Sequence, residues 1–383
     1  MPVDQRFYTN SVHAGVSADV ATGAIMTPIY QTSTFVQSEP GVHKGWDYAR
    51  AGNPTRDALE AAFAELEGAA HGLAFSSGLA AEQALIQALL NPGDRILVSD
   101  DVYGGTGRLF RRIFAKYHLD FVFLDFADDA AVDQALTKNT RMIWLETPSN
   151  PMMKVTSIRA LAKRAKSVGA VLVVDNTFAS PVFQTPLDHG ADVVVHSTTK
   201  YIGGHSDLIG GAVMTRDASL HEKIRFIQFA GGAVPGPIEC FMLLRSLKTL
   251  AVRMRKHEEN AWEVARFLQT HPRVKKLHFP GTHSDQKLVS EQMRGHSGMM
   301  SFELDGVYAD VVAMLQKLKV FSLAESLGGV ESLVNHPEKM THASVPPELR
   351  EKLGISSQLI RLSVGIESSE DLVKDLQQSL IRA

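Results

Sequence analysis

The first residue in this sequence that suggests chemistry is a lysine. Lys200 follows the apolar run Val193-Val194-Val195 within His196-Ser197-Thr198-Thr199-Lys200, and Gly203-Gly204 lie just beyond it. A lysine after a buried strand is commonly an ordinary surface residue. Ser197 and Thr199 point further, because hydroxyls hold phosphate and a partly desolvated lysine forms a Schiff base with an aldehyde. Asp175 closes another apolar run, residues 170–174. It caps a turn or, beside a heterocyclic nitrogen, keeps that nitrogen protonated so that the ring draws electrons. Phe75-Ser76-Ser77-Gly78-Leu79 leads by small residues into a helical pattern. That is a tight turn, or a seat for phosphate built from Ser77 and the free N–H groups of Gly78 and Leu79. Tyr103, after Asp100-Asp101, is a core aromatic or a ring that stacks on a flat cofactor. Arg361, in Leu359-Ile360-Arg361-Leu362-Ser363-Val364, is an exposed strand charge or a bidentate clamp for a substrate carboxylate. Each residue alone has a plain structural explanation. Together they spell one cofactor, pyridoxal 5′-phosphate.

The elements that must position these residues are legible as apolar periodicity. Short β-branched runs at 94–99, 120–124, 141–145, 170–174, 192–195 and 211–215 suit strands buried on both faces of a parallel sheet. Helical patterns lie between them. Residues 56–67 put Leu59, Ala62, Phe63 and Leu66 on one face, opened by Asn53-Pro54-Thr55 and closed by Gly68. Residues 79–90 carry Leu85, Ile86, Leu89 and Leu90 and stop at Asn91-Pro92-Gly93. A third stripe is Leu109, Phe110, Ile113, Phe114 and Tyr117. A fourth is Ile158, Leu161, Ala162 and Ala165, between Ser157 as N-cap and Gly169 as stop. The alternation predicts a three-layer α/β domain. One long helical stretch is expected from Gly236 to His271-Pro272. After it, strands near 298–304, 320–324 and 358–364 with intervening helices indicate a smaller α+β domain. The expected organisation is an arm at 1–48, a large cofactor-binding domain at 49–240 and a small domain at 241–383.

Composition narrows the class. The 383 residues carry 39 Lys+Arg against 42 Asp+Glu, a balance that argues against a general nucleic-acid binder. A 44% hydrophobic and 21% charged chain is ordinary globular composition. No run approaches membrane-spanning length. The polar start Met1-Pro2-Val3-Asp4-Gln5-Arg6 lacks the plan of a signal peptide. The expectation is a cytoplasmic metabolic enzyme acting on a small molecule. The single cysteine, Cys240, forms no internal disulfide and builds no thiolate zinc site. The 15 histidines show no metal-ligand spacing, so no metal is expected. No phosphate-loop or dinucleotide glycine motif occurs. Gly204-His205-Ser206-Asp207-Leu208 starts like a serine-hydrolase elbow but has Leu208 where the last glycine belongs.

At this point longer matches become visible. Tyr48-Ala49-Arg50-Ala51-Gly52-Asn53-Pro54-Thr55-Arg56, Asp101-Val102-Tyr103-Gly104-Gly105-Thr106 and Glu146-Thr147-Pro148-Ser149-Asn150-Pro151 stand in order along the chain. So do Val174-Asp175-Asn176-Thr177, Ala324-Glu325-Ser326-Leu327-Gly328-Gly329 and Arg361-Leu362-Ser363-Val364-Gly365. Nearly end to end, the sequence resembles the Cys/Met-metabolism family of pyridoxal-phosphate enzymes. The resemblance implies fold type I, with a mainly parallel central sheet between helices and a smaller C-terminal α+β domain. It implies that Lys200 carries the cofactor and shuttles protons, that Asp175 pairs with its ring nitrogen, and that Tyr103 stacks on the ring. Asn150 would sit near the ring hydroxyl. Ser77, Gly78, Leu79, Ser197 and Thr199 would bind phosphate, and Tyr48 and Arg50 would reach it from a neighbouring subunit. Arg361, Ser326, Glu325, Tyr48 and Asn150 would meet the amino-acid substrate. A homotetramer built as a dimer of dimers is implied.

The implied activity is γ-cleavage of cystathionine. γ-Replacement on an acylated homoserine, by a synthase or a sulfhydrylase, is the alternative. A scaffold that kept the fold and lost the chemistry is the alternative of another class. Gly104 stands where methionine γ-lyases carry cysteine, which counts against them. The run at 52–56 counts against bacterial cystathionine β-lyases. The stretch 321–333 and Met340-Thr341-His342-Ala343-Ser344 resemble γ-lyases, with much of both shared by synthases.

Overall fold

The structure, a computed structural model, describes residues 5–343 and 345–381. The first four residues of the polar start, Ser344 of the 340–344 run, and 382–383 of the expected small domain lie outside them. The chain first forms α1 (Gln5–His13), then runs through irregular backbone to α2 (Pro54–Glu67). α2 is delimited by local chemistry. The Asn53 side chain accepts the Thr55 N–H, Pro54 sits where no N–H is required, and Gly68 ends the helix at φ 65°. Its Leu59, Ala62, Phe63 and Leu66 are buried, and truncating a side chain such as Leu59 to alanine costs about 2–5 kcal/mol.

Seven strands follow: β1 (His71–Phe75), β2 (Arg95–Ser99), β3 (Asp120–Leu124), β4 (Thr140–Glu146), β5 (Val171–Asp175), β6 (Val193–Ser197) and β7 (Gly211–Thr215). They form one sheet in the order β1-β7-β6-β5-β4-β2-β3. β3, β2, β4, β5 and β6 pair in parallel, while β7 runs antiparallel to both β6 and β1. The sheet is therefore mixed, although mainly parallel. Alternate residues feed two cores. Leu172, Val174 and Val194 pack with α2 and the helix Ile158–Val168, whereas Val173, Val193 and Val195 pack with α3 (Gly78–Leu89). Both faces being covered explains the near-continuous apolar runs.

A second sheet has the order β10-β11-β12-β9-β8, built from β8 (Val274–His278), β9 (Met299–Leu304), β10 (Ser322–Leu323), β11 (Leu333–Asn335) and β12 (Leu359–Ser363). Helices Leu250–Thr270, Tyr308–Lys317 and Ser369–Ser379 supply its core through Val264, Leu268, Val311, Met314, Leu372 and Leu376.

Two expectations need correction. The stripe at 109–117 is not a regular α-helix: a short helix Gly104–Arg108 passes into a π-turn at Leu109–Ile113 and a 3₁₀ turn at Phe114–Tyr117, which His118 ends at φ 55°. The long stretch from Gly236 is two helices, Pro237–Leu247 and Leu250–Thr270. The apolar residues on either side of the break, Leu243, Leu247, Leu250 and Met254, bury in one core, so the spacing alone did not reveal it. Among the described residues no helix is long and apolar enough to cross a membrane.

Candidate active site

The singled-out residues converge because the parallel strands end together. Asp175 is the last residue of β5, Ser197 the last of β6, and Glu146 the last of β4. Tyr103 follows β2, and Ser77-Gly78 carry β1 into α3. Ligands of open α/β sheets bind outside these carboxyl ends. A cavity of about 310 Å³ lies there, lined by Ser77, Gly78, Leu79, Tyr103, Asn150, Asp175, Ser197, Thr199, Lys200, Glu325, Ser326 and Arg361. Arg361 reaches it from β12 of the second sheet. Tyr48 and Arg50 do not line it. Tyr48 is exposed, and the Arg50 guanidinium donates to the Phe229 carbonyl at 2.7 Å and lies over the Phe229 ring.

Lys200 Nζ donates to Ser326 Oγ at 2.8 Å. Burial and the nearby Arg361 charge lower the amine to about 8, against the pull of Glu325. Arg361 is 1% exposed. Its Nη1 donates to Asn150 Oδ1 at 3.0 Å and its Nη2 to the Ser326 carbonyl at 3.0 Å, while Nε has no partner. The guanidinium is thus oriented from behind. Burial brings it down to about 10, opposed first by Glu325. Asn150 is held by its loop: Asp101 accepts from the Ser149 hydroxyl and, at 3.2 Å, from the Met152 N–H.

Asp175 Oδ1 accepts the Thr177 N–H at 2.9 Å, as a turn residue would, and the residue also lines the cavity. Burial raises its carboxyl, and the Thr177 bonds and the charge of His196 work against that rise. The sequence reading missed two further acids lining the same cavity, Glu82 and Glu146. Burial, reinforced by Asp175, raises both well above the usual carboxyl range. Glu82 Oε1 accepts from Thr106 Oγ1 at 2.9 Å and its Oε2 has no partner; Glu146 Oε2 accepts the Tyr103 N–H at 2.7 Å. Closely set buried carboxyls cannot all ionise. Glu82 had a signal: it is the one charged residue on the face shared by Leu85, Ile86 and Leu89. Thr177, Phe178, Ile209, Leu327 and Thr341 complete the lining.

The donor set fits pyridoxal phosphate. Of the N–H groups opening α3, Ala80 is capped by Ser77 Oγ at 3.0 Å and Ala81 bonds the Ser77 carbonyl, so those of Gly78 and Leu79 precede the first helical bonds. Gly78 is packed so closely that a Cβ there would lie 3.0 Å from Ser197 Cβ. Thr199 Oγ1 is shared with the Gly210 backbone, at 3.1 Å from its N–H and 3.3 Å from its carbonyl. A lysine amine, a buried aspartate, a tyrosine and the free N–H groups of a helix start surround one space.

Comparison with known proteins agrees. Residues 8–381 match the family described as Cys/Met metabolism PLP-dependent enzyme. A cystathionine gamma-lyase from Dictyostelium discoideum is 50% identical over 382 residues, covering 99% of this chain and 98% of the relative. A cystathionine beta-lyase from Coxiella burnetii is 48% identical, covering 97% of each. The crystal structure of cystathionine gamma synthase from Xanthomonas oryzae pv. oryzae in complex with cystathionine superposes with a TM-score of 0.95 at 47% identity, covering 98% of this chain and 97% of that one.

Proposed function

The chain belongs to the Cys/Met metabolism family of PLP-dependent enzymes, and from that premise we propose that it is a lyase cleaving L-cystathionine at the γ-carbon to L-cysteine, 2-oxobutanoate and ammonia. The pairing, across one cavity, of the buried Lys200 amine with an Arg361 guanidinium already oriented by Asn150 and Ser326 supports action on an amino-acid substrate, and the likeness to a gamma-lyase at 50% identity favours γ-cleavage. When bound, the cofactor supplies an electron-drawing ring that stabilises negative charge on substrate carbon.

The chain's own residues do the rest. Lys200 holds the cofactor, and its depressed basicity makes the neutral amine accessible near physiological pH, ready to take a proton from one carbon and deliver it to the next. Ser326 Oγ, at 2.8 Å, keeps Nζ turned toward the substrate face. Asp175 would hold the ring nitrogen's proton. Tyr103, its backbone anchored by Glu146, would stack on the ring. Ser77, Gly78, Leu79, Ser197 and Thr199 would seat the phosphate, and Asn150 would adjoin the ring hydroxyl. Arg361 clamps the substrate carboxylate, while Glu325 lines the distal side where the second amino-acid arm of cystathionine would extend. Tyr48 and Arg50 act on the phosphate of a neighbouring subunit in a dimer of dimers. The division into an arm, a large domain to 240 and a small domain beyond belongs to the same reading.

Gly104 supports setting methionine γ-lyase aside, because a Cβ there would lie 2.5 Å from the Thr341 carbonyl oxygen. The β-lyase relative, at 48% identity, is as similar as the synthases, so overall likeness does not set β-cleavage apart. γ-Synthesis is the second reading, favoured by the likeness to a synthase structure containing cystathionine. One assay separates them. L-Cystathionine alone is expected to yield cysteine and 2-oxobutanoate in equal amounts. Faster formation of cystathionine from an acylated homoserine plus cysteine moves the assignment to a synthase, and release of pyruvate and homocysteine moves it to a β-lyase.

A further inference from the structure

A polar network lies behind the sheet, on the face opposite the cavity. Side chains alternate along a strand, so the neighbours of Asp175 and Ser197, namely Asn176 and His196, point away from the cavity toward α2. There both meet one carboxylate. Glu67, the last residue of α2, accepts on a single oxygen, Oε1, from Asn176 Nδ2 at 3.0 Å and contacts His196 Nε2 at 2.5 Å. Glu67, Asn176 and His196 are each 1% exposed or less. The network continues to β4: Asn176 Oδ1 accepts from Gln184 Nε2 at 2.9 Å, and the same nitrogen donates to the Thr147 carbonyl at 2.8 Å, one residue past Glu146.

Polar groups buried this deeply are an unfavourable way to fill a core. Hydrophobic replacement of a buried pair is often neutral or stabilising, whereas a connected network fixes relative positions. Here the fixed points are the ends of β5 and β6. Parallel strands hold their register through backbone bonds, and the β5–β6 register ends at Asp175↔Val195. Beyond it the Asn176 N–H to the Val195 carbonyl at 3.0 Å and the Ser197 N–H to the Thr177 hydroxyl at 2.9 Å link the two chain segments. Glu67 adds a side-chain cross-tie on the α2 side, through Asn176 and His196.

We propose that Glu67 is a positioning residue that clamps the ends of β5 and β6 through Asn176 and His196 and so sets the spacing between Asp175 and Ser197 that the cofactor must span. The proposal rests on the assignment of the ring nitrogen to Asp175 and of the phosphate to Ser197. It makes cofactor binding, rather than turnover alone, the sensitive quantity.

The test uses the full-length protein stripped of cofactor and titrated with pyridoxal 5′-phosphate. Glu67→Ala is expected to weaken the cofactor by about tenfold or more, equivalent to about 1.4 kcal/mol, and to shift the absorbance maximum and visible dichroism of the bound chromophore. Glu67→Gln, which keeps the Oε1 acceptor, restores most of both. Asn176→Ala, which leaves the Glu67–His196 contact in place, weakens binding by a similar factor and stands in should Glu67→Ala not fold. Val311→Ala, in the core of the second sheet, is the control for lost stability alone and leaves affinity and spectrum unchanged. If Glu67→Ala, or Asn176→Ala in its place, melts earlier yet binds with parental affinity and spectrum, Glu67 is structural only and the proposal is overturned. If the parent itself forms no visible chromophore, the cofactor-site assignment has failed instead.

Discussion

At the scale of single residues, Asp101 carries the clearest pH dependence. It is 1% exposed, accepts from Ser149 and Met152, and leaves its Oδ1 without a partner. Burial raises it to about 6, with Ser149 and Lys154 pulling the other way. A carboxyl raised above its unfolded value near 4 favours folding most while both states are protonated. That contribution falls as pH rises from about 4 through 6 and is then flat, because the folded state must carry a poorly solvated charge. Asp101→Asn removes the titration and still offers an oxygen acceptor. Its stability relative to the parent should therefore improve between pH 4.5 and 7, by up to about 3 kcal/mol, and change no further by pH 8. Paired thermal melts across that range check this, and a constant difference means Asp101 is never protonated in the folded chain. Because Asp101 braces the loop that carries Asn150, catalysis is expected to weaken in the variant even where stability improves.

At the scale of elements, much of the frame was legible because the large sheet is buried on both faces. The ends of six of its seven strands were readable to within a residue or two, β1 not being among the expected runs, and with them the places of Asp175, Ser197 and Lys200. β8 and β11 were not legible: Val274–His278 exposes Lys275 and Lys276 at a sheet edge, and Leu333–Asn335 is too short to show a period. The antiparallel course of β7 leaves no mark on its apolar composition. Glu82 left only the signal of a lone charge on an apolar helix face, and Glu67 meets His196 across a separation of 129 residues, so that contact is not visible before the fold exists. The start of α3 was legible as a possible phosphate seat, and it is testable as an element. A methyl at Gly78 would press on Ser197 Cβ at 3.0 Å and Cα at 3.1 Å, and Ser197 is held in the β6–β7 pairing. The helix start must therefore move away from β6. Gly78→Ala should lower affinity for pyridoxal 5′-phosphate about tenfold while leaving the melting of the cofactor-free protein nearly unchanged, since alanine suits a helix. Unchanged affinity would remove the α3 start from the phosphate site.

At the scale of the whole molecule, the segment between α1 and α2 makes sense only with something against it. Val20, Ile25 and Val36 are almost fully exposed, and Val42 and Tyr48 about half. Apolar area left in water forgoes about 25 cal/mol per Å², and a run of such residues on one arm is a surface that the proposed dimer of dimers would cover. Arg50 closes that arm. It lies over the rings of Tyr48 and Phe229, yet lines no part of its own chain's cavity. If Arg50 meets phosphate, as the proposed function has it, the phosphate is that of a neighbouring chain. The consequence is complementation. Arg50→Ala and Lys200→Ala should each be inactive as pure assemblies, the first through a weakened phosphate site and the second through loss of the cofactor-holding amine. Mixed assemblies refolded from both contain sites in which an intact Lys200 from one chain meets an intact Arg50 from the other. Activity should then return, to about a quarter of the parental value for random pairing into dimers, because a mixed dimer has one fully wild-type site of two and makes up half of the pairs. Recovery at that level, with hybrids verified by differently tagged chains, places Arg50 in the partner's site; verified hybrids without activity put both groups to work within a single chain.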